Sequence, residues 1–278
     1  MFDKVVVGID DYEAGRDALE LAKQLVSTGG DVLIVFVQVV VLAPGTDSDP
    51  PWQVTERQRA EERLLALRAE AHVHAQLLEV QALSVAAGLH EAARGHGDLL
   101  VIGASRRDEL DRVVIGDDTH AMLKDPPCAV AVAPAGFATR APVLRTIGVA
   151  YDDTPESERA LAVARNLARE CRAELSAFEA VREPVWVQDP WAPEREIEEA
   201  VAKARERLVD LGGLEPHAAS GDAAEELARY AASVDLLVLG SHEQRPIDRL
   251  TGGSPSQRLA DSVPCALLVL PSRAAARA

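Results

Sequence analysis

Between Leu236 and Pro271 the chain reads LLVLGSHEQRPIDRLTGGSPSQRLADSVPCALLVLP. An apolar run ends at Gly240, a polar loop follows, and Gly253-Ser254-Pro255 opens a helical pattern before a second apolar run. Such an arrangement can hold phosphate, because glycine lets backbone approach an anion and the first N–H groups of a helix carry partial positive charge. The same residues also make a good helix start with no ligand at all: Ser254 suits the N-cap, Pro255 the first helical position and Gln257 the capping-box partner. Glu243 stands mid-loop, where a carboxylate opposes phosphate. Arg245 and Arg249 lie in the same loop and can offset it.

Other chemistry is sparser. Cys128, Cys171 and Cys265 form no Cys-x-x-Cys pair, and an odd count gives no disulfide framework. Cys128 and Cys265 each follow proline and precede an apolar run, so they read as small core residues and not as reactive thiols. His72 and His74 alternate, His90 and His96 would not share a helix face, and no metal-ligand spacing appears. Neither Gly-x-Ser-x-Gly nor Gly-Lys-Ser/Thr is present, so no serine-hydrolase or P-loop chemistry is expected, and the protein does not read as an enzyme. Asp10-Asp11 and Asp152-Asp153 each follow an apolar run and are expected to cap the next helix, in preference to acid–base or Mg²⁺ work.

The net charge of −16 opposes nucleic acid and anionic membranes as partners, without excluding a small anion in one local nest. A hydrophobic content of 47% over 278 residues supports one large or two ordinary cores. The start, MFDKVVVGID, lacks a basic segment followed by a long apolar one. The longest apolar run, around Val32 to Ala43, is broken by Gln38 and too short to span a bilayer. A cytoplasmic location is expected. Acidic helices such as Pro193 to Leu211 read as solvated faces, and the Trp186–Trp191 segment before it as a lid, an interaction loop or ordinary packing.

The elements that must position these residues occur twice. Lys4–Val26 resembles Arg145–Ala168, each an apolar run, two acids and a helical pattern with an arginine beside Ala-Leu, Arg16-Asp17-Ala18-Leu19 in one and Arg159-Ala160-Leu161 in the other. Gly97–Pro134 matches Val234–Pro271, pairing Gly103 with Gly240, Gly116 with Gly253 and Cys128 with Cys265. Repeats this long are domains: residues 1–137 and 143–278, with a linker near Ala135 to Leu144. In the first copy the periodicity predicts strands at Lys4–Ile9, Val32–Val41, Leu77–Leu83, Leu99–Ile102 and Ala129–Ala133. Helices are expected at Glu13–Ser27, Thr55–His72, Val85–Arg94 and Asp117–Lys124. Continuous apolar strands alternating with helices predict a doubly wound α/β fold, a parallel five-stranded sheet in each domain.

On these residues the chain resembles the universal stress protein family, as a tandem two-domain member. The resemblance implies flavodoxin-like, adenine-nucleotide alpha-hydrolase-like domains in a pseudo-two-fold pair, with the last strands CAVAVAP and CALLVLP pairing. ATP-binding members carry Gly, two residues, Gly, nine residues, Gly, then Ser or Thr, together with an Asp after the first strand and a Gly-Asp after the third. The second half matches at Asp152, Gly221, Asp222, Gly240, Gly253 and Ser254, with Glu243 in place of the middle glycine. The first half keeps Asp10, Gly103 and Gly116, but carries Arg106 and Asp117 at the other loop positions and no third-strand Gly-Asp. The resemblance implies a stress-response regulatory protein binding ATP or a related nucleotide in its second domain, and a homodimer is a possible assembly. The alternative is a nucleotide-free scaffold or partner-binding protein of the same type.

Overall fold

The computed structural model describes residues 1–9, 12–40, 62, 65–66, 75–104, 121–140, 143–181, 194–241 and 264–271. The chain forms two compact units, one built on Met1–Pro142 and one on Val143–Ser272. The expected helix Thr55–His72 falls largely outside the described residues; of Asp117–Lys124 the second half is described and is helical over 121–123.

The first unit runs β1 (Phe2–Ile9), α1 (Tyr12–Leu25), β2 (Val26–Val39), β3 (Ala75–Ala82), α2 (Val85–His96), β4 (Leu99–Gly103), β5 (Ala129–Ala133) and the short α3 (Phe137–Arg140). Its strands lie in the order β3-β2-β1-β4-β5, and every pair is parallel. The central strands are buried on both faces, as Val5, Val6 and Val7 on β1 and Leu99, Leu100 and Val101 on β4 show. That is why they read as unbroken apolar runs and not as alternating ones. Edge strand β3 instead mixes intermediate and exposed residues.

Two expectations need correcting here. The second strand begins at Val26, directly after α1, and not at Val32. Phe2 pairs with Val26 and Lys4 with Asp31, so the intervening Ser-Thr-Gly-Gly is an irregularity within the strand. Gly29 adopts φ +85°, and Ser27 Oγ donates to Asp3 Oδ1 at 2.6 Å, which hold the bulged segment against β1. In the sequence these polar and glycine residues look like a turn. The expected linker is likewise folded over its first half. The Asp17 carboxylate, buried on α1, accepts from Gly136 N–H and Ala138 N–H at 2.7 Å each, and Phe137 is buried beside it.

The second unit runs β6 (Thr146–Ala150), α4 (Pro155–Cys171), β7 (Glu174–Val181), α5 (Glu194–Leu211), β8 (Glu215–Ser220), α6 (Ala223–Ala231), β9 (Leu236–Gly240) and β10 (Ala266–Leu270). Its parallel order is β10-β9-β6-β7-β8. The chain builds outward from β6 to β8, then returns to the other side of β6 as β9. The boundary between β6 and β9 is therefore the topological switch point, where an open parallel sheet leaves a crevice beyond its strand ends. Among the described residues, no helix is long and apolar enough to cross a membrane.

Candidate functional site

Asp152 lies two residues past the end of β6, and Gly240 is the last residue of β9. Those strands are neighbours, with Val149 opposite Val238, so the fold brings the two residues to opposite sides of the switch point. Between them stands the start of α4. A Cβ added to Gly240 would sit 2.6 Å from Glu156 O and 2.7 Å from its carbonyl carbon. Only glycine lets β9 end this close to the α4 backbone. Gly103 has the same role in the first unit, where an added Cβ would lie 2.2 Å from Ala14 O. The glycine that reads in sequence as part of a phosphate loop thus has a packing function of its own.

The turn after β6 differs from expectation. Neither Asp152 nor Asp153 caps α4: Thr154 does, accepting from Ser157 N–H, while Ser157 Oγ accepts from Thr154 N–H in a reciprocal box. Pro155 takes the first helical position, so the Thr-Pro-Glu-Ser sequence carried a capping signal of its own. Asp152, exposed, accepts from Thr154 Oγ at 2.6 Å. Asp153 adopts φ +59°, a left-handed conformation that Asp tolerates better than most residues, and accepts from Tyr151 Oη at 3.3 Å. The helix therefore selects the hydroxyl for its cap and leaves Asp152 directed by it.

Gly221 and Asp222 follow β8, two strands away from β6 and so roughly 10 Å across the sheet. Gly221 has φ +147°, which side chains rarely adopt, and donates to Val181 O at 3.0 Å. Asp222 Oδ1 accepts from Ala224 N–H and Glu225 N–H as the N-cap of α6. The corresponding cap in the first unit is Ser84 on α2. This pair is not brought directly against Asp152. Gly253, Ser254 and Glu243 lie outside the described residues, as do Asp10, Arg106, Gly116, Asp117, Trp186 and Trp191.

Sequence reasoning missed three residues beneath the Asp152 turn. Tyr151 is buried, and Glu179 on β7 is only 8% exposed. Arg207 on α5 donates to Glu179 Oε1, while Oε2 is buried with no hydrogen-bond partner among the described residues. A charged residue inside the apolar run ELSAFEAV was the available signal. Burial, then Asp153, Glu158 and Glu179, raises the Tyr151 pKa and keeps its hydroxyl a donor.

On the sheet face carrying α6, Tyr230 stacks on Phe178 with centroids 4.9 Å apart, and its hydroxyl shares a hydrogen bond with Ser176 Oγ. Burial pushes its phenol up to about 12. Because the unfolded phenol loses its proton near 10, this contribution to stability is complete below that pH and is lost as pH rises to about 12. Alkaline melts of Tyr230→Phe are therefore expected to lose less stability across this window than wild type; parallel curves would contradict the assignment. Burial likewise pushes Cys265, a core residue, to about 12, and the half-buried Cys128 to about 11, so Cys128 is less enclosed than expected while neither thiol is activated. Among the described residues no group of three or more potential metal ligands is found.

The model of the Universal stress protein family matches residues 1–134 and 144–271. Among solved structures, a universal stress protein from Archaeoglobus fulgidus is similar at 16% identity and TM-score 0.69, covering 97% of this chain and 96% of that one. A putative universal stress protein from Pseudomonas aeruginosa is similar at 16% identity and TM-score 0.67, covering 99% and 95%. At that identity the structures speak to the fold. No curated protein matches the chain.

Proposed function

As the chain belongs to the universal stress protein family, in two copies, we propose that it is a stress-response regulatory protein whose second unit binds ATP or a related nucleotide. The observation that carries this reading is the placement of Asp152 and Gly240 on either side of the switch point between β6 and β9. The base side of the ligand lies toward Asp152. The triphosphate lies over the Gly240–Ser254 loop, near the Gly253-Ser254 helix start. The described strand ends supply little positive charge for phosphate: Asp152, Asp153, Glu156 and Glu158 cluster there, and Arg159 is already paired with Glu156 at 2.9 Å. Phosphate binding therefore draws on backbone N–H groups and on Arg245 and Arg249 of the loop, and Glu243 weakens it. Function follows from the bound state and not from turnover. The first unit, with Arg106 and Asp117 in its loop, binds no nucleotide.

A specific observation favours the scaffold reading as well. Gly240 and Asp222 each have a structural task that needs no ligand, one in strand–helix packing and the other in capping α6.

Calorimetry on three proteins separates the two, after denatured wild type has been assayed for co-purified nucleotide. Wild type is expected to bind ATP weakly, Glu243→Gly several-fold more tightly, and Ser254→Asp at least about 10-fold more weakly, or about 1.4 kcal/mol. Silence of both wild type and Glu243→Gly at millimolar ATP would establish the scaffold reading. Wild-type binding that survives Ser254→Asp would place the ligand elsewhere.

A further inference from the structure

Glu179 and Arg207 form a charge pair whose position suits a purpose other than stability. Glu179 is 8% exposed, one oxygen takes Arg207, and the other is buried and unpartnered among the described residues. Only the carboxylate is buried, since the Arg207 side chain is 46% exposed, and a pair with one solvated partner is a weak source of stability. An incompletely satisfied buried carboxylate is also rare enough to require an explanation.

Its neighbourhood supplies one. Ala150 lies opposite Phe178, and Tyr151 N–H donates to Phe178 O at 2.9 Å, so the backbone that anchors Tyr151 is the residue before Glu179. Tyr151, Asp153 and Glu179 share the electrostatic environment of Arg207. Tyr151 Oη holds Asp153, whose left-handed backbone sets the direction in which Asp152 leaves the strand. Thr154 and Ser157 then tie Asp152 to the first turn of α4. The path runs from the charge pair on β7 and α5, across the β6–β7 ladder to Tyr151, which follows Ala150 as Glu179 follows its partner Phe178, and then by the Tyr151–Asp153 hydrogen bond to the exposed Asp152 carboxylate.

We propose that Glu179 and Arg207 are positioning residues, fixing through Tyr151 and Asp153 the turn that presents Asp152 at the switch point. The consequence for ligand binding rests on the nucleotide reading above; the consequence for the turn does not. Loss of the pair should affect recognition of the base side and leave phosphate recognition alone.

The test uses the full chain with Glu179→Gln and, as a second variant that removes one hydroxyl only, Tyr151→Phe. In ligand-free protein, amide exchange at residues 152–154 and 156–157 is expected to rise about 10-fold in both variants, while the β6–β7 ladder keeps its wild-type protection. ATP affinity is expected to fall about 10-fold in Glu179→Gln, with inorganic tripolyphosphate affinity unchanged. Combining Glu179→Gln with Asp152→Ala should cost little beyond Asp152→Ala, because both act through one carboxylate. A purely structural pair would weaken both ligands together and give additive effects. If wild type binds neither ligand, the nucleotide reading fails and the exchange result alone decides the positioning. Exchange at wild-type levels in both variants overturns the proposal. So does equal loss of ATP and tripolyphosphate, or unchanged ATP affinity in a wild type that binds it.

Discussion

Gly103→Ala and Gly240→Ala are each expected to destabilise their own unit by about 1–3 kcal/mol, the range for forcing extra volume into a packed site. The reason is local and identical in the two units. The added methyl would lie 2.2 Å from Ala14 O and 2.7 Å from its carbonyl carbon in the first, and 2.6 and 2.7 Å from the same atoms of Glu156 in the second. Both obstacles are helix backbone, which cannot swing aside as a side-chain tip can. The helix must move off the sheet, and buried residues such as Ala18 and Leu21 on α1 or Ala160 and Ala164 on α4 move with it. Gly103→Ala should be the more damaging, having the closer approach. Thermal melts read the effect as a drop of roughly 5–10 °C. A variant that melts with wild type would show that the strand end yields without cost. The result also bears on ligand studies: weaker ATP binding by Gly240→Ala would reflect displacement of α4 and would not establish a phosphate contact.

Asp17→Ala should be as severe, through lost polar contacts instead of overpacking. Its two oxygens accept from Gly136 N–H and Ala138 N–H at 2.7 Å each, in a buried setting. Hydrogen bonds to a charged group contribute about 1.5–3 kcal/mol each, and a buried N–H left without an acceptor costs about 1–3 kcal/mol. The two are coupled through one side chain, so a loss of about 3 kcal/mol is expected rather than a full sum. Asp17→Asn retains one acceptor oxygen and should lose about half of that. A positional readout accompanies the stability change. Released from α1, α3 should be cleaved by trypsin after Arg140 faster than in wild type. Unchanged cleavage together with an unchanged melt would mean that the helix is held by Phe137 and its neighbours alone.

The sequence by itself determined the repeated α/β architecture. Val5–Val7, Leu99–Ile102 and Leu236–Leu239 are continuous apolar runs because central parallel strands are covered on both faces, and that requirement leaves a local trace. The alternation with helical periodicity and the matched glycines were local traces too. The bulge at Ser27–Gly30 was not legible, since a strand irregularity and a turn use the same residues. The Asp17 clamp was not legible either: its partners are more than a hundred positions away, and a backbone N–H has no sequence signature. Gly240 could be picked out in sequence, but its packing reason is visible only once β9 is laid against α4. Competition for the cap of α4 was likewise decided in three dimensions, where Thr154 and Ser157 satisfy each other and leave Asp152 facing outward. Glu179 is the clearest case. In sequence it is an acid interrupting a strand, and tertiary structure alone sets it beneath the Asp152 turn, beside an arginine from another element. Local chemistry determines which elements form; distant pairings decide which of their polar groups remain available for a ligand.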